Sequence, residues 1–146
     1  MMNSSPVRKL LLGAAMVIVS ANCAVGQQDA LIEDWTVKVT HYEPPFYPNP
    51  AHAGSREGVV VIRIKMDSAG KVIDAVALSG YPDLIVDTLD NAKKWQFEPN
   101  ARKTAILVYD FRIVGTCTTN NERGDAVFHP PNFTSVTSCR RLPSLP

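Results

Sequence analysis

Between Gly58 and Leu78 the chain reads GVVVIRIKMDSAGKVIDAVAL, and this stretch limits the fold more narrowly than any other. Val60, Ile62, Ile64 and Met66 recur with a period of two while Arg63 and Lys65 take the positions between them, which puts the apolar set on one face of a β-strand. DSAGK, Asp67 to Lys71, supplies turn chemistry: the Asp67 carboxylate accepts from nearby backbone donors, and Gly70 takes the positive φ of a bulged hairpin loop. A calcium loop drawn from Asp67 and Asp74 lacks its other oxygen ligands. Val72 to Leu78 returns with apolar residues at nearly every position, the pattern of a strand with a neighbour on each side. A hairpin with one apolar face is marginal in water and requires a cover.

The cover is GYPDLIVDTLDNAKKWQFEP, Gly80 to Pro99. Pro82 suits the first turn of a helix, Asp83 complements the positive end of its dipole, and Ile85, Leu89 and Ala92 fall along one side. Asp83, Asp87 and Asp90 lie on the other, solvent-facing side, where charges are ordinary and do not make a hydrolytic carboxylate pair. Trp95 stands at the edge of the apolar stripe, placed to seal the last helical turn against the sheet as a core residue instead of an exposed ligand platform. Gln96 to Pro99 leave the helix extended, because the residue before a proline is pushed away from helical angles. TAILVYDFRIV, Thr104 to Val114, then forms a third strand, with Ala105, Leu107, Tyr109, Phe111 and Ile113 on the core face and Asp110 and Arg112 on the other. Strand, tight turn, strand, helix, strand defines an α+β fold, a two-layer sandwich with its helix on one face of the sheet.

The first 26 residues have the form of a secretory signal: Arg8 and Lys9 precede an apolar run from Leu10 to Ala21, and Ala24, Val25 and Gly26 make a small-x-small cleavage site before Gln27. An uncleaved anchor or a lipidated Cys23 is the alternative; the residues before Cys23 lack the usual leucine and small residue. The 120 residues that remain carry 13 Lys plus Arg against 14 Asp plus Glu, a balance that gives no electrostatic case for nucleic acid or anionic lipid. That length fits one domain that buries about two thirds of its extended surface. A polar segment, 27–41, ends in WTVKVTH, which alternates well enough for a short strand from Trp35 to His41. In YEPPFYPNP, Tyr42 to Pro50, prolines at 44, 45, 48 and 50 exclude helix and regular sheet and imply a stiff extended arm across the domain, marked by Phe46, Tyr47 and Pro48, with Phe46 and Tyr47 tucked in; a proline-rich recognition ligand is the other reading.

Beyond the third strand, 115–146, come the polar turn NNERGD, the short apolar stretch AVF, HPPN, FTSVTSC and a proline-rich end. Cys117 and Cys139 are the two cysteines left after the signal, and export makes their pairing the simplest expectation; closing a loop of that size stabilises by about 3 kcal/mol on the loop-entropy model. Such a bridge staples the tail to the end of the third strand. A metal site needs more ligands, and His129 in HPPN reads as a turn residue, so no metal or other cofactor is expected. Ser79 sits at a strand-to-helix turn, yet GxSxG is absent and His41, His52 and His129 are scattered through loops and arms; the serine reads as a helix cap, and neither catalysis nor a small-molecule substrate is expected.

The segment Phe46 to Pro99 resembles the C-terminal domain of TonB, the periplasmic energy transducer of Gram-negative bacteria. The matching marks, in order, are Tyr47 and Pro48, Gly58, Gly70 with Val72, Ser79 to Pro82 including Gly80, and Ala92 with Trp95, Phe97 and Pro99. The resemblance covers 42–114 and extends to small secreted TonB-like proteins. It implies a hairpin, a helix and a third strand, and a periplasmic or secreted protein that binds an outer-membrane or periplasmic partner by adding a strand of that partner to the third strand. Ile106, Val108, Asp110 and Arg112 would then mark the receiving edge. Three features depart from a working transducer: there is no long proline-rich spacer, Leu10 to Ala21 has no charged group, and Pro44, Pro45 and Phe46 stand where well-known transducers have Gln-Pro-Gln. The expectation is a protein-binding module of the cell envelope. The alternatives are a structural or self-associating protein, such as a homodimer, whose edge is covered by AVF or FTSVTS, and, less favoured, a membrane-tethered transducer for outer-membrane transport.

Overall fold

The computed structural model describes residues 37–118 and 124–142. The signal-like segment, the polar stretch after it with Trp35 and Thr36, residues 120–123 of the NNERGD turn and the last residues, 143–146, lie outside them. Among the described residues the chain runs β1 (Lys38–His41), α1 (Asn49–Ala53), β2 (Gly58–Met66), β3 (Val72–Ser79), α2 (Pro82–Ala92), β4 (Gln96–Glu98), β5 (Thr104–Thr116), β6 (Asp125–His129) and β7 (Phe133–Arg140). It is a mixed α+β structure with a five-stranded sheet in the order β3-β2-β5-β7-β6 and a two-stranded ribbon of β1 and β4.

The hairpin forms as its sequence predicts. Asp67 Oδ1 accepts from the amides of Ala69 and Lys71 at 2.8 and 3.0 Å, and Gly70 has φ 81°. The loop is also tied to the end of the helix unit, since the Phe97 amide donates to the Gly70 carbonyl at 2.9 Å. α2 buries Leu84, Thr88, Asn91 and Ala92 against β2 and β3, with Ile85 and Leu89 flanking that stripe. Its N-cap is Tyr81, without a side-chain cap; Ser79 ends β3 and does not serve as the cap the sequence pattern suggests. Trp95 is fully buried, in a core with Phe97, Tyr109, Phe111, Ile62, Ile64 and Met66.

The topology corrects the reading of two segments. Among the described residues the strand after the hairpin turn, β3, is an edge strand paired with β2 alone, although its nearly continuous apolar sequence suggests a neighbour on each side. The proline-rich arm ends in a helical turn from Asn49, because Pro50 falls at its first positions, where a missing amide hydrogen costs nothing. Within that arm Tyr47 is buried, and Pro48 with it, but Phe46, read from the sequence as tucked in, is 77% exposed.

The tail is part of the sheet. After β5 the chain passes to the outermost position as β6, turns at Pro130-Pro131 and returns between β6 and β5 as β7, antiparallel to β6 and parallel to β5. Val136 enters the core at 1% exposure, and Phe128 packs on Tyr42 and Trp95 with ring centroids 5.0 and 5.5 Å away.

Candidate functional site

The third strand, β5, is the edge that the sequence nominates for a partner, and it is occupied. It pairs antiparallel with β2 from Thr104 to Phe111 and parallel with β7 from Val108 to Thr116. Asn132 starts this second ladder: its backbone carbonyl accepts from the Val108 amide at 3.0 Å and its side-chain Nδ2 donates to the Ile106 carbonyl at 2.9 Å. Ile106, Val108, Asp110 and Arg112 therefore do not line a free edge. Ile106 is buried, Val108 lies opposite Phe133, and the Arg112 guanidinium pairs with the Asp110 carboxylate at 2.8 Å. The sequence pattern left this open because AVF and FTSVTS are strand-competent but carry no information about which edge they choose.

Among the described residues the edges of the five-stranded sheet are β3 and β6. On β3 the register steps from Met66↔Val72 to Lys65↔Asp74, and again from Ile62↔Ala77 to Val61↔Ser79, so Ile73 and Leu78 are bulge residues without a partner on β2. Both are exposed, as is Val76 between them, whereas β6 exposes a single large apolar side chain, Val127. Bulges twist an edge and interrupt its ladder. The regular part of β3 is thus confined to Asp74–Ala77, framed by two apolar side chains.

The arm is held by buried polar contacts. Asn91 Nδ2 donates to the Glu43 carbonyl at 3.0 Å, and the Tyr47 hydroxyl donates to the Arg56 carbonyl at 2.6 Å. Burial, with the Glu57 carboxylate nearby, pushes the Tyr47 hydroxyl up to about 12. Burial also raises Tyr109 well above the ordinary range and raises Tyr42, against which the Thr134 hydroxyl acts in the opposite direction. Phe46 projects between two clefts, one of about 220 Å³ lined by Glu43, Asp87, Asp90 and Lys94, the other of about 450 Å³ lined by Tyr47, Asn49, His52, Ser138 and Arg141.

The remaining marked residues are close to the hairpin and helix. Gly58 opens β2 beside the Tyr81 ring, Gly80 lies against Val60, Pro82 begins α2, and Pro99 follows β4. Gly70 lies against the Phe97 backbone so closely that a Cβ there would meet the Phe97 carbonyl oxygen at 1.6 Å. Cys117 and Cys139 form the disulfide, joining the end of β5 to the end of β7. His52, scattered from the other histidines in the sequence pattern, lies on α1 beside that bridge, its Nε2 donating to the Cys139 carbonyl at 2.6 Å. His129 instead contacts the Ser135 hydroxyl at 3.0 Å. No signal in a single sequence links His52 to cysteines 65 and 87 residues away. Among the described residues no helix is long and apolar enough to cross a membrane.

A hairpin, a helix and a third strand, with the turn glycine seated on the segment that leaves the helix, define a small α+β domain. Residues 43–113 match the family described as Gram-negative bacterial TonB protein C-terminal, and this part of the chain is a TonB C-terminal domain. No curated protein and no solved structure matches the chain.

Proposed function

We propose that the chain is a non-catalytic periplasmic TonB-like module that binds an envelope protein by strand addition at β3, its third strand being closed by its own tail. The observation that carries this reading is the cluster of exposed Ile73, Val76 and Leu78 on a strand with no outer neighbour among the described residues. Backbone groups of Asp74–Ala77 supply hydrogen bonds to a short segment, and burying three half-exposed side chains adds about 1 kcal/mol each. The bulges at either end favour a short partner over indefinite edge pairing. Family membership of residues 43–113 supports the envelope setting, and a disulfide is at home in an oxidising compartment.

A second copy is the alternative partner, favoured by the apolar character of the same strand, which can pair with itself. Photo-crosslinking from position 76 and from position 112 in intact cells tests the main reading. Adducts with another envelope protein from 76 and none from 112 support it; adducts from 112 alone overturn it. A dimer-sized adduct from 76, together with concentration-dependent amide protection in Val72–Ser79, selects the self-associating alternative.

A further inference from the structure

The bridge between β5 and β7 has a built surrounding. A ring nitrogen of His52 and the sulfurs of Cys117 and Cys139 lie within 4.8 Å of one another. Cys139 is 2% and His52 8% exposed. The imidazole is oriented: a carbonyl only accepts, so Nε2 carries the hydrogen in the contact with the Cys139 carbonyl, and Nδ1 is the lone-pair nitrogen. Metal-binding histidines are commonly oriented in this way, by donating their other ring nitrogen to a backbone carbonyl. The Tyr47 ring packs edge-on to the imidazole at 5.8 Å, and the Pro48 carbonyl holds the first turn of α1 through the His52 amide at 2.9 Å.

The two cysteines do not depend on their covalent bond for proximity. Pairing of Ile113 with Ser138 and of Thr116 with Arg140 brackets them, and the Cys117 amide donates to the Arg140 carbonyl at 2.9 Å. We propose that reduction of this disulfide converts Cys117, Cys139 and His52 into a Cys2His site for a thiophilic closed-shell cation of the Zn²⁺ class. The reductant is a dithiol: it gives two electrons and two protons to the Cys117–Cys139 bond and itself becomes a disulfide, leaving two thiols. The cation displaces both thiol protons to solvent and binds two thiolates and one neutral imidazole. In a tetrahedral zinc site donor atoms stand roughly 3.5–3.8 Å apart, so the two sulfurs, covalently bonded in the bridge, separate on reduction, while a ring nitrogen of His52 already lies within 4.8 Å of both. His52 and Ser138 also line a cleft, with Asn49, Asp87 and Arg141, and a solvent molecule is the fourth ligand of the proposed site. The tail is thereby pinned across β5 in either redox state, by a covalent bond or by a metal.

The test is a competition titration of Zn²⁺ against a chromogenic chelator, run on the purified chain after phosphine reduction without oxygen and on the oxidised chain. The expected result is one zinc per reduced chain, none held by the oxidised chain, and a loss of at least about tenfold in affinity for reduced His52→Ala. Cobalt in place of zinc is expected to give a thiolate charge-transfer band that Cys117→Ser weakens. Equal zinc binding by the oxidised and reduced chains overturns the proposal, as does undiminished affinity in His52→Ala or in the Cys117→Ser, Cys139→Ser double variant. The near-UV spectrum of the aromatic core reports folding independently; its loss on reduction without recovery on adding zinc also overturns it.

Discussion

Trp95 donates from its indole nitrogen to Asn91 Oδ1 at 3.1 Å, one helical turn back, and the same oxygen accepts the Tyr109 hydroxyl at 3.1 Å. With Nδ2 donating to the Glu43 carbonyl, a single buried amide joins the helix, the third strand and the proline-rich arm. This contact explains why the helix leads into WQF: a large ring closes the joint, and its one polar atom finds a partner on the preceding turn. Asn91→Leu keeps the volume and leaves two donors and a carbonyl without partners. The expected loss is about 2–4 kcal/mol in urea unfolding. A loss below about 1 kcal/mol would mean that water takes the place of the amide.

The tail should unfold with the domain. Phe128 stacks on Tyr42 and meets Trp95 edge-on, so Phe128→Ala removes packing from the core itself. We expect a loss of about 2–3 kcal/mol, below the full value for a buried phenylalanine because this ring is only partly enclosed. Far-UV and near-UV transitions should remain coincident. Two separate transitions, or unchanged stability, would make residues 124–142 an appendage.

Gly70→Ala is expected to cost at least about 2 kcal/mol, since the residue has positive φ and an added Cβ meets the Phe97 backbone, which cannot rotate away. Ala69→Gly, one residue earlier in the same exposed loop, serves as the control and should cost less than about 1 kcal/mol. Equal unfolding midpoints for the two variants would show that the loop and β4 separate without penalty.

Alkaline pH should destabilise the fold. Tyrosine is neutral when protonated, so a folded value raised above the ordinary 10.0 means that the native state holds its proton more tightly than the unfolded chain. Tyr47, Tyr42 and Tyr109 all shift in this direction, the first to about 12. Their contribution is complete below about pH 10 and declines as pH rises toward 12. Denaturant midpoints between pH 9 and 12 should fall, and Tyr47→Phe should make that fall shallower. Flat midpoints across this range would contradict the burial of these hydroxyls.

The hairpin, the helix and the third strand were legible because each rests on local rules: a period of two, an Asp-and-Gly turn, a proline at a helix start and an apolar stripe along one helix side; the helix ends at Ala92, well before Pro99. Trp95 was legible as core for the same reason, since it falls at the margin of an apolar stripe. Asn91 was not, because its value comes from Trp95, Tyr109 and Glu43 arriving together. Hydrophobicity alone points Phe46 to the interior, but the arm is anchored through Pro45 and Tyr47 on either side of it, and an extended chain presents successive side chains to opposite sides.

The amino-acid pattern by itself determined the hairpin, the helix and the third strand in their order, the disulfide pair and the family of residues 43–113. Only the tertiary structure decided which strand is an edge and which residues meet across the sheet. Apolar runs such as VIDAVAL and FTSVTS state that a segment can join a ladder, and their backbone hydrogen bonds are the same whichever neighbour they find. The choice came from side chains far apart in sequence: Val136 and Phe128 pack on the core when β7 lies on β5, and that placement closed the β5 edge, left β3 and β6 as the outer strands of the sheet among the described residues, and brought His52 to the cysteines.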